Sequence, residues 1–308
     1  AGNTVLGESA LDASVSGTDN TAIGKSVLTA LTSGTENTMV GSLAGDAVTT
    51  GNNNVGVGRQ ALGGVTTGGN NVGVGWNAGV NITTASTNVT VGFNSLADCV
   101  TGSANTAVGT NALADTTSSE NAGFGNESLR LNTSGQYNSA FGANSLKSNT
   151  TASNNTAIGY NSLAANTTGS SNVALGANCL DTCTTGALNT AIGKNAATDL
   201  TTGDYSVAVG FEALKSVTTG DYNIGNNAAD ALTDGTGVVA IGGSAFGAGT
   251  GSYNHAFGIS ALSSCTGSYN TAVGRNAAAA ITSGNYNVAV GDYALDAQTT
   301  PSANTAVG

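Results

Sequence analysis

Apolar and polar positions recur along this chain with a period of about seventeen residues. The marker is the pentapeptide N-T-A-V-G and its variants, which begin at residues 3, 20, 37, 54, 71, 88, 105, 121, 138, 155, 172, 189, 206, 223, 238, 254, 270, 287 and 304. Most spacings are 17 residues, with shorter coils of 15 or 16 starting at 105, 223, 238 and 254. The averaged repeat reads N-T-A-V-G-x-N-A-L-x-x-x-T-T-G-x-x, and its positions are numbered one to seventeen. Position one is Asn apart from Ser206 and Val238, and position five is Gly in every copy but the one starting at 223, whose Gly comes two residues early. Position four is a larger apolar residue in every copy but the one starting at 223, as in Ile23, Val57, Phe141 or Ile192. Position nine is usually Leu, as in Leu28, Leu62, Leu96, Leu113, Leu146 and Leu163.

Seventeen residues are too few for a helix pair or a propeller blade, but they suit one coil of a parallel β-solenoid or β-roll. Positions two to four, short, alternating and rich in β-branched residues, predict a strand. Gly at five ends it, and the T-T-G segment turns a second corner. Stacking places each position above its own copy. Asn20, Asn37, Asn54, Asn71, Asn88 and Asn105 are then expected to form an amide ladder. Apolar positions four and nine are expected to fill a thin interior, with Val57, Ile158 and Ile192 buried in one column. At about 4.8 Å per coil the stack makes a rod of roughly 85 Å. No domain boundary interrupts residues 1–308; the irregular coil is 223–237, where N-I-G-N-N lacks two strand residues and a bulge or kink is expected.

Composition narrows the function classes. Charged residues make up 8% of the chain, against roughly 25% in a typical soluble protein, and there is one His and one Trp. A globular enzyme is disfavoured, and no cofactor is expected. The formal charge of −11 disfavours nucleic acid as a partner, and no apolar run approaches a transmembrane helix. Every Lys and Arg falls at position six or ten: Lys25, Arg59, Lys194 and Arg275 at six, Arg130, Lys147 and Lys215 at ten. The chain begins without Met and stops directly after a motif, which suggests either a piece of a longer chain or head-to-tail stacking.

The pentapeptide run resembles the S-V-A-I-G head repeats of trimeric autotransporter adhesins, the YadA-like β-roll. The fuller N-T-A-[VI]-G-x-x-[AS]-L with T-T-G, as in Asn105–Leu113, Asn155–Leu163 and Asn270–Ala278, is closer still to repeats of phage tail-fibre-type proteins. The resemblance covers essentially the whole chain. It implies a left-handed roll, a homotrimer, and a place outside the cell or on a virion. The small column at position three (Ala22, Gly56, Gly73, Ala107, Ala157, Ala191, Ala208) agrees with a trimer, because small side chains let another chain pack close.

Candidate chemistry is sparse. Gly24-Lys25-Ser26 supplies only the end of a phosphate-binding loop, and the G-V-G clusters at Gly56–Gly58 and Gly73–Gly75 are repeat glycines. His255, at position two, has no evident partners for general-base work. Cys99, Cys183 and Cys265 share position twelve with Leu31, Val48, Val65 and Ile82 and read as core side chains. Cys179 and Cys183, in C-L-D-T-C, form a candidate disulfide if the compartment is oxidising. Tyr137, Tyr205, Tyr222, Tyr253, Tyr269 and Tyr286 close their coils. Tyr253, Tyr269 and Tyr286, in consecutive coils, should stack, either as a sugar-binding aromatic column or as packing. The Thr column at position thirteen (Thr32, Thr49, Thr66, Thr83 and onward) suggests an ice-binding array, or a corner. Asn132, Asn149 and Asn166 head sequons, open to glycosylation in a host with that machinery or forming another ladder. A structural fibre shaft leads the functional readings, ahead of an adhesin head that binds host glycan or protein.

Overall fold

The computed structural model describes residues 2–218, 222–224, 227–233 and 236–308. Among these the protein is all β, a parallel solenoid with one three-residue strand per coil. The chain divides into two compact units, Ala1–Asn154 and Asn155–Gly308. The first holds β1 (Thr4–Leu6) to β9 (Ser139–Phe141), the second β10 (Thr156–Ile158) to β19 (Thr305–Val307). In each unit every strand pairs in parallel with the next. Thr4 pairs with Thr21 in the first unit and Thr156 with Val173 in the second, so each step advances one repeat.

The coil closes because three backbone corners recur. Gly at position five has φ near +133° at Gly58 and +135° at Gly75, which L side chains avoid. A Cβ at Gly58 would lie 2.5 Å from the Gly75 carbonyl oxygen, so the stack itself excludes any side chain. Positions seven, nine and seventeen are left-handed, as Gln60 (φ 56°), Leu62 (φ 53°) and Asn70 (φ 58°) illustrate. A left-handed Leu costs roughly 1–2 kcal/mol. The cost is offset because this conformation drives the Leu into the interior, where Leu62, Leu96, Leu113 and Leu163 are buried. Outside the strands, turn residues also bond coil to coil: Leu62 N–H donates to the Ala78 carbonyl (2.9 Å) and Thr66 N–H to that of Thr83 (2.9 Å).

The expected core is inverted within the strand. Position three points inward and positions two and four point out. Ala157 is fully buried while Ile158 is 40% exposed. Val57 and Ile192 are exposed in the same way, so the predicted burial of position four is wrong, whereas that of position-nine Leu holds. The reason is volume. Side chains at eight, nine and twelve enter the coil from the turn, such as Val27, Leu28 and Leu31, and leave room for little beyond Ala opposite them. Exceptions carry their compensation. Met39, large at position three, lies where a Cβ on Gly45 or Gly56 would meet its Sδ at 2.9 and 2.4 Å. Phe246 replaces Leu at nine, and Gly249 then stands at twelve, where a Cβ would meet the ring at 2.5 Å. The small position-three column therefore lines the interior and offers no surface to a second chain.

The amide ladder forms as expected. Asn54 Oδ1 accepts from Asn71 N–H (3.0 Å) and from Asn71 Nδ2 (3.1 Å). Asn71 Nδ2 also crosses its own coil to the Ala85 carbonyl (2.9 Å). Asn54 Oδ1 thus accepts twice and Asn71 Nδ2 donates twice, and such partners are what make a buried amide tolerable.

The irregular coil differs from its sequence reading. β14 is Tyr222–Ile224, in register with Val207–Val209 on one side and Val239–Ile241 on the other. No residue is skipped in this pairing, so the strand has no bulge. The two missing residues belong to the coil starting at 206, before β14, rather than to the coil after it. Tyr222 accordingly begins a strand instead of closing a coil; its side chain lies outside the described residues.

Candidate functional site: the outward strand face and the surface columns

Positions two and four of every strand make one face, and no Asp, Glu, Lys or Arg stands at either position in any of the strands. In the first unit it runs through Val55 and Val57, Val72 and Val74, Val89 and Val91 to the stacked rings of Phe124 and Phe141, whose centroids are 4.6 Å apart. In the second it includes Ile158, Leu175, Ile192, Ile241, Phe257 and Val290, all more than a third exposed. With strands about 10 Å long and 4.8 Å apart, each unit offers roughly 450 Å² of this face. Part of that area is polar, since position two is Thr or Ser in about half of the strands, and its size is that of the larger patches on an ordinary monomer, which are often functional.

Position six borders the face. Trp76 is 51% exposed there, edge-on to Phe93 (centroids 5.4 Å) and under the Arg59 guanidinium (5.6 Å). The sequence reading passed over this trio. The signal was present: Lys25 and Arg59 share position six, so an aromatic ring there had to be on the surface. Lys25 itself lies 3.1 Å from Glu8, spent on an ion pair, and Gly24 is an ordinary corner glycine with φ +132°. Gly56 and Gly73 are likewise the inward-facing centres of β4 (Val55–Val57) and β5 (Val72–Val74), and Gly58 and Gly75 turn the corners that follow. At position seven, Glu127 accepts from Lys147 (2.6 Å) and Arg130 (3.2 Å), and the Lys147 hydrogen bond foremost holds its carboxyl below the usual range.

Tyr253, Tyr269 and Tyr286 do stack, with centroids 5.0 Å apart in both pairs and planes within 9° and 3°. A sugar docks on a free ring face, and here both faces of Tyr269 are covered by its neighbours. A Cβ on Gly237 would meet the Tyr253 ring at 2.7 Å, so that ring lies against the Gly237 backbone. The edges and hydroxyls remain in solvent. Tyr137 and Tyr205 also close their coils in the left-handed conformation and are exposed.

All four cysteines are buried free thiols. Cys179 and Cys183 do not form the candidate disulfide, because their side chains serve different carbonyls. Cys179 Sγ donates to Ala191 O (3.2 Å), and Cys183 Sγ to Gly186 O (3.6 Å). Burial pushes the Cys179 thiol up to about 12, and the others up to about 11. At position twelve, Cys99 and Cys265 reach the carbonyls of Gly102 and Gly267 in the same way. Asn132 and Asn149 use this bond too, to Gly135 O (2.9 Å) and Ala152 O (3.0 Å). The sequon asparagines are therefore interior: Asn132, Asn149 and Asn166 are buried, and Asn149 Nδ2 donates to Asn132 Oδ1 (2.8 Å). Of the two readings of these residues, the second ladder is the one realised, and a buried amide offers nothing to a glycosyl donor.

The Thr column at thirteen bonds inward along the stack. Thr32 Oγ1 donates to Thr49 O (3.1 Å), Thr49 to Thr66 O (3.1 Å) and Thr66 to Thr83 O (3.2 Å). His255 stands exposed at the start of β16 (His255–Phe257), on the outward apolar face. No protein-family model matches the chain, and neither a curated protein nor a solved structure matches it.

Proposed function

We propose that this protein is a structural shaft, one of several parallel copies that join through the outward strand face into a stiff fibre, outside the cell or on a virion. The observation that carries the reading is the inverted strand: large apolar side chains face out at position four while Ala fills the inside. A chain that worked alone would gain nothing from Ile158, Leu175 and Ile192 in water. A second copy offers the same face with the same 17-residue period, so every coil finds its counterpart, and a seam without charge carries no unpaired-ion penalty. Three copies is the number implied by the resemblance to autotransporter heads. Mass measurement of the purified chain in native buffer tests the reading: a trimer supports it, and a stable monomer at micromolar concentration overturns it.

An adhesin head is the second reading, favoured by the exposed Arg59–Trp76–Phe93 cluster. Binding of the rod to immobilised host glycans or matrix proteins, lost in Trp76→Ala, would move the function from shaft to adhesin. Ice binding is weakened as a third reading, because the position-thirteen hydroxyls already donate to backbone.

A further inference from the structure

We propose that a polar groove on the first unit binds a short neutral oligosaccharide; this deepens the adhesin reading above by naming a ligand class and a place, and it does not depend on association between copies. The groove runs along the stack between position seven and positions ten and eleven, and encloses about 330 Å³. That volume is at the lower end of small-ligand pockets. Position seven contributes a row of amides, Asn77, Asn94 and Asn111, from three consecutive coils. The row spans two coil steps, about 10 Å. Position eleven contributes Asp98 and Asp115, and Arg130, at position ten of the next coil, stands at one end. Space is left because position ten is only Ala at Ala97 and Ala114. Asn77 Nδ2 donates to Asn94 Oδ1 (3.1 Å), and Asn81 Nδ2 to Asp98 Oδ1 (3.2 Å). Asn94 Nδ2, the Asn111 amide and the Asp115 carboxyl make no side-chain hydrogen bond among the described residues.

The ligand class follows from what these groups can bond. Each amide offers both donors and an acceptor, each carboxylate offers acceptors, and the set repeats coil by coil. A saccharide presents hydroxyls, donor and acceptor at once, in just such a series. A peptide strand would need free backbone partners, and here those are spent between coils. Asn94 N–H donates to Trp76 O (3.1 Å), Asn111 N–H to Phe93 O (2.9 Å) and Asp98 N–H to Ala114 O (2.8 Å). Charge decides between glycans. Burial foremost holds the Asp115 carboxyl above its ordinary range, and Asp98 adds to this against the pull of Arg130. Arg130 is itself paired with Glu127 at 3.2 Å. A sialylated or sulfated glycan therefore meets like charge, and a neutral one does not. Phe93, exposed and directly before Asn94 in the chain, adds an apolar border. A groove between the same positions on the second unit offers one amide, Asn227, and one carboxylate, Asp230, and so serves as an internal control.

A glycan array probed with the labelled full chain tests this, with neutral hexose and N-acetylhexosamine oligosaccharides beside sialylated and sulfated ones. Titration calorimetry then follows the neutral glycan that binds best. The expected result is binding to a neutral glycan that is about fivefold weaker in Asn94→Ala and about tenfold or more weaker in Asp115→Asn. Ala97→Phe, which fills the groove, should abolish it, and Ala248→Phe, in the groove of the second unit, should bind as the parent does. Circular dichroism checks that each variant melts as the parent does. Binding to acidic glycans alone overturns the proposal and leaves the adhesin reading standing. So does neutral binding that survives Asn94→Ala, Asp115→Asn and Ala97→Phe. A parent that binds no glycan overturns the proposal together with the glycan arm of the adhesin reading, and leaves the shaft reading untouched.

Discussion

Ala157 and Ile158 are adjacent in one strand and have opposite fates: the first is sealed inside the coil, and the second, far more apolar, faces outward. The same division separates the inner and outer faces of the strand column in both units. Hydrophobicity alone would have put Ile inside. What decides the side is room. The interior is narrow and already filled from the turn by positions eight, nine and twelve, so the strand can contribute only a methyl group. The outer face has no such limit and collects the bulk. A solenoid of this kind has two apolar systems, a thin one that folds the coil and a broader one left exposed on the outer side of the strands.

The largest effects should come from crossing that division. Ala157→Asp puts an unpaired charge into a filled interior and should destabilise the second unit by roughly 3 kcal/mol or more. Ile158→Asp should leave the melting of the isolated chain within about 1 kcal/mol of the parent while weakening association. Thermal melting and sedimentation on the two variants separate these, and equal losses of stability would refute the assignment of faces. Next comes the corner. Gly58→Ala forces a side chain into φ +133° and against the Gly75 carbonyl, with an expected cost of about 3 kcal/mol. Gly243→Ala, with open space around its Cβ, should stay within about 0.5 kcal/mol of the parent in urea denaturation.

The ladder should give a smaller loss. Asn71→Ala removes the acceptor of Asn88 N–H and the partner of the Ala85 carbonyl, both buried, for about 2 kcal/mol. Asn52→Ala, exposed although it accepts from Thr35 N–H, should cost under about 0.5 kcal/mol. Denaturant midpoints of the two single variants check the contrast. A separate effect appears at high pH. The buried thiols titrate higher folded than unfolded, so their contribution is intact below about pH 8.5. It is lost as pH rises from there toward about 11 to 12, because the unfolded chain sheds those protons first. Melting at rising pH should show this decline, and replacing the four cysteines with Ala should flatten it. Native thiols should also resist alkylation at neutral pH until the chain is denatured.

Much of the architecture was legible in the sequence because a repeat states each structural requirement many times over. Asn at position one could be read as a ladder, since a buried amide needs partners and a stacked copy supplies them. Position-nine Leu could be read as core. The surface status of Trp76 was equally available from Lys25 and Arg59 at the same position, though only the structure shows the ring beside Phe93. The disulfide between Cys179 and Cys183 was not decidable from spacing, because a thiol at position twelve has a competing carbonyl at position fifteen. The shortened coil lies elsewhere than the motif suggests for a related reason: N-I-G aligns with the motif at Asn223, while the strand pairs Ile224 with Val209 and Ile241.

By itself, then, the sequence determined the period, the single strand per coil, the glycine corner and the amide ladder, since each is fixed by what lies directly above and below a residue. Alternation also determined that positions two and four share one face and position three the other. Which face is the inside was decided only by the tertiary structure. That choice depends on how far the left-handed corners at seven and nine swing their side chains across the coil toward the strand, and on the volume they leave there. The same decision places Ile158 and His255 on the outer surface.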